Sequence, residues 1–302
     1  PSFGVAIISR VLEAQGYRVA VLSQPDWRDK RDFRRFGEPR LGFLVTSGNI
    51  DSMVAHYTAA KRKRSEDAYS PGGKAGLRPD RAVIVYSRIL RELYPDRPIL
   101  LGGLEASLRR FAHYDYWDDA VRPSILLDAQ ADLLMYGMGE RSVVEIARRL
   151  DAGQPAAKLR DIRGTCYALP TRDYTPGPAV SCPSFEQVCA SKREYAAACR
   201  KQQDEQDAVR GRTVIQSHGD RILIQSRSPP KSSTAFTPCL MNGPITPPMK
   251  APGACRVLRR WNFPSPTTAA ASAPAISALL PSTRGGRSQH AASNRCWRRP
   301  LG

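Results

Sequence analysis

At 302 residues, of which 41% are hydrophobic, the chain is long enough for one large domain or two ordinary ones with a real core. None of its apolar runs reaches the roughly 20 residues of a membrane-spanning helix and its start carries no secretory signal, which argues against a membrane or secreted protein and predicts a cytoplasmic one. The net charge of +18 suggests nucleic-acid binding, but residues 226–302 hold 11 of the 46 Lys and Arg and no acid, which leaves 35 basic against 28 acidic residues in 1–225.

Apolar spacing predicts alternating strands and helices up to residue 150. The predicted helices span 5–15, 51–60, 80–93 (with Asp80 as a cap) and 140–150. The predicted strands span 18–23, 41–46, 98–101 and 131–136. Because strands alternate with helices and turn at glycines, we expect an α/β fold with a doubly wound, mainly parallel sheet.

The character of the sequence changes twice after residue 150. Residues 186–209 read as an exposed polar helix, and 213–225 as a hairpin that turns at His218-Gly219-Asp220. From Ser226 onward, Pro, Ala, Ser, Thr and Arg dominate without apolar periodicity, which predicts a disordered basic tail. The predicted organisation is a Rossmann-like domain (1–155), a helical and hairpin connector (156–225) and the tail (226–302).

Glycine turns at the ends of two predicted strands are the first candidate site. In doubly wound sheets ligands bind beyond the carboxyl ends of the strands, which here fall at 46–49, 102–105 and 137–140. Such turns cradle an anion or cofactor at a helix N-terminus, or are ordinary strand-to-helix turns. The candidate cofactor-binding residues are Gly102, Gly103, Glu105, Gly137, Gly139 and Glu140.

A dense polar and aromatic run over 109–119 is the second candidate site. Its Arg and His side chains could hold a carboxylate or phosphate, and its Asp side chains could take a proton. The alternative is a buried network between domains. The candidate substrate or interdomain residues are Arg109, Arg110, His113, Asp115, Trp117 and Asp118, and no catalytic residue is assigned.

Other motifs give no site. The stretch 71–76 lacks the spacing of a P-loop, the basic stretch 61–64 is expected to be a solvated loop, and His56 a helix-face residue. No two cysteines stand at Cys-x-x-Cys spacing, so no metal ligands are predicted in the chain as written. The seven cysteines are Cys166, Cys182, Cys189, Cys199, Cys239, Cys255 and Cys296.

Several sequence blocks are too specific for generic α/β sequence. They include Gln24-Pro-Asp-Trp27, Tyr69-Ser-Pro-Gly-Gly-Lys-Ala-Gly76 and Tyr136-Gly-Met-Gly-Glu140, together with 48–57, 101–119 and 161–166. From residue 1 to about 225 they resemble the region that precedes the radical S-adenosylmethionine (SAM) barrel in YgiQ-type radical SAM proteins. The resemblance implies a cobalamin-binding-like α/β domain whose first strand lies upstream of Pro1, in a chain read as a fragment. Because the sequence has no Asp-x-His-x-x-Gly, cobalamin ligated by His has little support.

The resemblance also implies a chemistry. Three cysteines spaced Cys-x-x-x-Cys-x-x-Cys hold a [4Fe–4S] cluster, which binds SAM and, with an electron from a donor such as flavodoxin or ferredoxin, cleaves it to a 5′-deoxyadenosyl radical. This chain lacks the triplet, so we expect a catalytically incompetent family member that binds neither cluster nor SAM. The alternative is a nucleic-acid-binding protein that uses the basic tail 226–302.

A frameshift would explain the composition of the tail. In such a shifted frame, each true codon consists of the third base of one residue's codon and the first two bases of the next residue's codon. The codons of Met241-Asn242 and of Trp261-Asn262 must then each yield Glu. In the same frame, 266–278 permits His-Asn-Arg-Gly-Cys-Phe-Gly-Ala-Cys-Asn-Phe-Cys, which contains the missing cysteine triplet. We therefore predict that the tail is translated out of frame, with slippage near 225–228.

Overall fold

The computed structural model describes residues 3–227 and the backbone of residues 275–280. The α-helices are α1 (Phe3–Ala14), α2 (Arg31–Arg34), α3 (Ser52–His56), α4 (Ala82–Leu93), α5 (Gly103–Leu108), α6 (Ile125–Asp128), α7 (Glu140–Asp151), α8 (Phe185–Ala190) and α9 (Lys192–Asp204). The strands are β1 (Arg18–Ser23), β2 (Gly42–Thr46), β3 (Ile99–Leu101), β4 (His113–Asp115), β5 (Ala120–Arg122), β6 (Leu133–Met135), β7 (Thr165–Pro170), β8 (Ala179–Ser181), β9 (Thr213–His218), β10 (Arg221–Gln225) and β11 (Ala275–Leu280). Short 3-10 helices lie at Pro71–Gly73, Ala156–Lys158 and Thr171–Asp173.

The strands form one nine-stranded mixed sheet and one small hairpin. The order in the large sheet is β1-β11-β2-β3-β6-β7-β10-β9-β8, and β4 pairs with β5 alone. The central strands β2, β3 and β6 are parallel, as are β8 and β9, whereas the remaining neighbours are antiparallel. The predicted α/β class is confirmed, and the parallel block is flanked by antiparallel strands.

Helices cover both faces of this sheet, as in a doubly wound fold. On one face, Leu12 of α1 packs with Val143 and Ile146 of α7. On the other face, Tyr86 of α4 and Ile125 of α6 belong to a second cluster of buried side chains. The central strands are buried along their length, which explains their continuous apolar sequence.

The polar segment before α4 differs from its prediction in two places. The helix predicted over 51–60 ends at His56, because Tyr57 has an extended backbone and forms a β-bridge with Lys63. The assignment of Asp80 as the cap of α4 is wrong. Arg81 holds that position with a left-handed φ of 50°, and its own side chain makes no capping hydrogen bond.

The helix predicted over 186–209 is two helices, α8 and α9. Ser191 breaks it with an extended backbone (φ −143°, ψ 123°), and its side chain accepts a hydrogen bond from the Glu194 amide to begin α9. The hairpin predicted over 213–225 is confirmed as β9 and β10, with Gly219 at a φ of 59° in the turn.

The tail contributes a strand to the sheet. β11 lies between β1 and β2, antiparallel to both, with Ala275 beside Ser23 and Thr46. The prediction of a tail without secondary structure is therefore wrong at 275–280. The predictions made for 228–274 and 281–302 fall outside the described residues.

Candidate functional site at the carboxyl edge of the sheet

Four strands end together at one edge of the sheet. β1 and β2 are both antiparallel to β11 and therefore run in the same direction, which β3 and β6 share. We call the edge where they end the carboxyl edge. Both predicted glycine turns follow strands here: Gly102 and Gly103 after β3, and Gly137 and Gly139 after β6.

The turn after β3 is built for close packing. Gly103 begins α5 at a φ of +85°, and a Cβ atom there would lie 2.3 Å from the Thr46 Oγ1 atom of the neighbouring strand end. Gly102 donates its amide to the Val45 carbonyl at 2.9 Å. Only glycine at position 103 allows β2 and α5 to approach this closely.

Glu105 lies inside the protein rather than at its surface. One oxygen of its fully buried carboxylate accepts hydrogen bonds from Ser52, from the amide at 2.9 Å and from the hydroxyl at 2.8 Å. The other oxygen accepts the Val83 amide at 3.3 Å. Burial raises the pKa of Glu105, against the opposing effect of these hydrogen bonds. The structure thus uses Glu105 to join the first turns of α3 and α4 to α5.

Two polar atoms at the carboxyl edge lack hydrogen-bond partners, unlike the Glu105 carboxylate. The Glu140 Oε2 atom, in the first turn of α7, and the Ser47 Oγ atom, directly after β2, are buried without a hydrogen-bond partner in the described part of the chain. Buried oxygens are normally satisfied by protein groups or by water, so these two atoms are available to a hydrogen-bond donor that reaches this edge. Sequence reasoning selected Glu140 but missed Ser47, whose only signal was its place at a strand end.

The two arginines after α5 have different surroundings. Arg109, whose pKa burial lowers, forms an ion pair with Asp51, the cap of α3. Arg110 donates to the Gln225 side chain and to the Ser107 carbonyl, both at 2.6 Å. Its guanidinium also lies 5.1 Å from the centre of the Tyr136 ring. Arg110 therefore connects the end of β10 to the carboxyl edge.

The remaining members of the polar run hold the β4–β5 hairpin against the preceding loop. Burial disfavours ionisation of Asp115, but hydrogen bonding from Arg81 outweighs it, so the pKa of Asp115 is lowered. Arg81 also pairs with Asp118 at 2.7 Å. Trp117 packs near Tyr57, with ring centres 6.3 Å apart.

His113 lies in β4 with its Nδ1 atom 3.2 Å from the Phe111 carbonyl oxygen, and burial lowers its pKa to about 4. At neutral pH this ring is therefore uncharged. A neutral imidazole held by the backbone is a poor ligand for phosphate.

Sequence reasoning missed two polar clusters in the loop between α3 and α4. The Asp80 carboxylate joins the His56 Nδ1 atom and the Tyr57 hydroxyl, both at 2.7 Å. Asp67 and Arg78 form an ion pair at 2.5 Å whose side chains are 1% and 0% exposed. Because the partners in each pair are eleven or more residues apart, spacing within the sequence gave no signal for either cluster.

The cysteines of the described body are unsuited to an iron–sulfur cluster. Cys166 and Cys182 lie in the hydrophobic core, where burial raises the pKa of Cys166 to about 12 and of Cys182 to about 11. Among the described residues, no three His, Cys, Asp or Glu side chains gather as metal ligands. These residues do not fit the cluster that the resemblance implies.

Residues 1–237 match the protein family described as radical SAM N-terminal. The chain belongs to this radical SAM family. The resemblance to YgiQ-type radical SAM proteins predicted from the sequence is thereby confirmed, and the match runs some way past the expected boundary at residue 225.

Curated relatives of the radical SAM family are much longer than this chain. A UPF0313 protein of Clostridium botulinum (strain 657 / Type Ba4) is 52% identical over 237 residues, which cover 77% of this chain and 36% of the relative. A UPF0313 protein of Clostridium perfringens (strain SM101 / Type A) is 53% identical over 223 residues, or 74% of this chain and 34% of the relative. The chain thus spans about a third of the length of these relatives. No solved structure matches the chain significantly.

Two further expectations concern membrane-spanning helices and nucleic-acid binding. Among the described residues, no helix combines the length and the apolar character needed to cross a bilayer. The alternative function, nucleic-acid binding through 226–302, concerns a segment of which only 226–227 and the backbone of 275–280 are described.

Proposed function

We propose that residues 3–227 are the non-catalytic N-terminal module of a radical SAM enzyme. In the intact enzyme, the part of the chain that follows this module would bind the [4Fe–4S] cluster and SAM and form the 5′-deoxyadenosyl radical. The module contributes a rigid α/β body whose carboxyl edge faces the reacting part. This chain, as written, would be catalytically incompetent.

The arrangement of the cysteines in the module carries this proposal. A cluster needs three cysteines close together, and no three His, Cys, Asp or Glu side chains of the described residues gather as metal ligands. Cys166 and Cys182 are buried in the hydrophobic core. Cys189 and Cys199 are exposed on α8 and α9, far in sequence from any third cysteine at cluster spacing. The match to a family described as radical SAM N-terminal, and the greater length of the relatives, support the assignment.

Anaerobic reconstitution tests the proposal. The 302-residue chain and the full-length Clostridium botulinum relative are treated in parallel with ferrous iron and sulfide, desalted, and assayed for bound iron, visible absorption and release of 5′-deoxyadenosine from SAM with dithionite. We expect cluster absorption and 5′-deoxyadenosine from the relative only. A stoichiometric cluster in the 302-residue chain would refute the assignment of this module as non-catalytic.

A further inference from the structure

Four of the ten large apolar side chains that are exposed in the described body lie on segments that follow strands of the carboxyl edge. Leu104 and Leu108 are 45% and 63% exposed, and because they stand four residues apart on α5 they lie on one face of that helix. Val54 on α3 is 42% exposed, and Met138 in the turn after β6 is 58% exposed. These four residues, which we call the edge patch, follow the three central parallel strands.

The helices that carry the patch are fixed in place. Glu105 of α5 accepts the Ser52 hydroxyl of α3 at 2.8 Å, and Arg109 pairs with Asp51 at the start of α3. Since the polar residues of these helices are used internally, their solvent side is left to leucine and valine. Exposed apolar side chains on a rigid framework are typical of a surface that another protein segment covers.

The described body ends at the same edge. β10 is antiparallel to β7, which is antiparallel to β6, so β10 and β6 finish on the same side of the sheet. The Tyr136 hydroxyl, two residues before Met138, donates to the Ser226 carbonyl at 2.5 Å. The Gly164 amide donates to the Arg227 carbonyl at 2.8 Å. Whatever follows Arg227 therefore starts beside the edge patch.

Polar groups around the patch also lack partners. Besides the Ser47 and Glu140 oxygens, the Gln225 Nε2 atom is buried without an acceptor in the part of the chain that the structure describes. Ser47 follows β2, Glu140 begins α7 after β6, and Gln225 ends β10, so all three lie at the same edge of the sheet as the patch.

We propose that the edge patch is the docking surface for the part of a full-length UPF0313 protein that follows the N-terminal module, an inference that rests on the proposed function. Nearly two thirds of the length of each relative lies outside the match, so in the relatives a large partner for the patch is present within one polypeptide. Attachment at the end of β10 holds that partner at an effective concentration of about millimolar, at which a small patch is sufficient for stable packing. A second copy of this chain has no such tether.

A chimaera tests the docking surface. Residues 1–227 of this chain replace the aligned region of the full-length Clostridium botulinum relative, and hydroxyl-radical footprinting compares side-chain oxidation in the chimaera with that in the 302-residue chain. We expect oxidation of Leu104 and Leu108 to fall severalfold in the chimaera. Phe36, also 45% exposed but near the opposite end of β2, serves as the matched control and should be unchanged.

Substitution provides the second arm. In the chimaera, Leu104→Asp with Leu108→Asp should weaken docking by about tenfold for each leucine and increase protease cleavage after β10, whereas Phe36→Asp should not. Equal oxidation of the leucines in the two proteins would overturn the proposal. So would protection in the 302-residue chain that grows with its concentration, since it would identify a second copy as the occupant.

Hydrogen exchange covers the case of a chimaera that does not fold. The helix of the intact relative that aligns with α5 should exchange more slowly than α5 of this chain, and equal exchange would contradict docking. The two proposals fail separately. Cluster formation in the 302-residue chain refutes the non-catalytic assignment, whereas an uncovered α5 in an active full-length relative refutes only the docking surface.

Discussion

The buried ion pair between Arg78 and Asp67 should be the most sensitive polar contact in the described body. Its side chains are 0% and 1% exposed, and the Asp67 carboxylate also accepts the Tyr69 amide at 2.9 Å and the Ser70 hydroxyl at 2.7 Å. Removing Arg78 leaves a buried carboxylate with only neutral donors. We expect Arg78→Met to lower the free energy of unfolding by about 3–5 kcal/mol, a large part of the 5–15 kcal/mol typical of a domain.

A double-mutant cycle by urea unfolding measures this effect. Asp67→Asn alone should also cost about 3–5 kcal/mol because it strands the arginine, whereas the double variant should lie within about 1 kcal/mol of the worse single variant. The exposed pair Arg200–Asp204, with side chains 80% and 57% exposed, is the control, and Arg200→Met should cost less than about 0.5 kcal/mol. Additive single-variant effects, or a loss below about 1 kcal/mol for Arg78→Met, would refute the reasoning.

Three further predictions concern the turn after β3, acid stability and the tail. Gly103→Ala should lower the free energy of unfolding in urea by about 2–3 kcal/mol. The control Gly153→Ala should lower it by about 1 kcal/mol, because Gly153 has a similar positive φ but open space where a Cβ atom would lie. Equal losses would contradict a steric role for Gly103. Burial lowers the pKa of His218 to about 4, as it does that of His113, so the unfolded chain binds more protons between about pH 6.5 and 4. Stability should therefore fall as the pH drops through that window, and His218→Phe should reduce the slope of unfolding free energy against pH by about one proton; an unchanged slope would refute the assignment. Sequencing the codons for 222–302 should show wobble bases that spell the cysteine triplet in the shifted frame, and bases that do not fit would make the tail a genuine basic extension.

Periodic apolar patterns predicted the architecture because they depend on local burial alone. Helix α7 and the hairpin of β9 and β10 follow this rule, and their predicted bounds agree with the structure to within one or two residues. Polar residues were harder to assign, because their partners come from elsewhere in the chain. Asp80 was a plausible cap in the sequence, but His56 and Tyr57 engage it across the loop.

In the candidate site, too, position was predictable from sequence and chemical environment was not. The position of the glycine turns at the ends of parallel strands followed from the α/β pattern. Their chemistry did not, since only the structure shows that the Glu105 carboxylate is fully buried and joins three helices. The edge patch could not be inferred from sequence, because exposure depends on which surfaces the fold leaves uncovered. Ser47 stood at a predicted strand end, but only the structure shows that its hydroxyl is buried without a partner among the described residues.

The position of β11 has a consequence for how this chain is made. It pairs with β1 and β2, yet it is synthesised long after both of them. Until it arrives, two apolar strands near the start of the chain present open hydrogen-bonding edges, the condition under which nascent chains pair with one another. Strand pairing across so long a loop is also slow, because its closure entropy precedes any stabilising contact. A chain of this design should depend on chaperones during synthesis more than one that completes its sheet in sequence order.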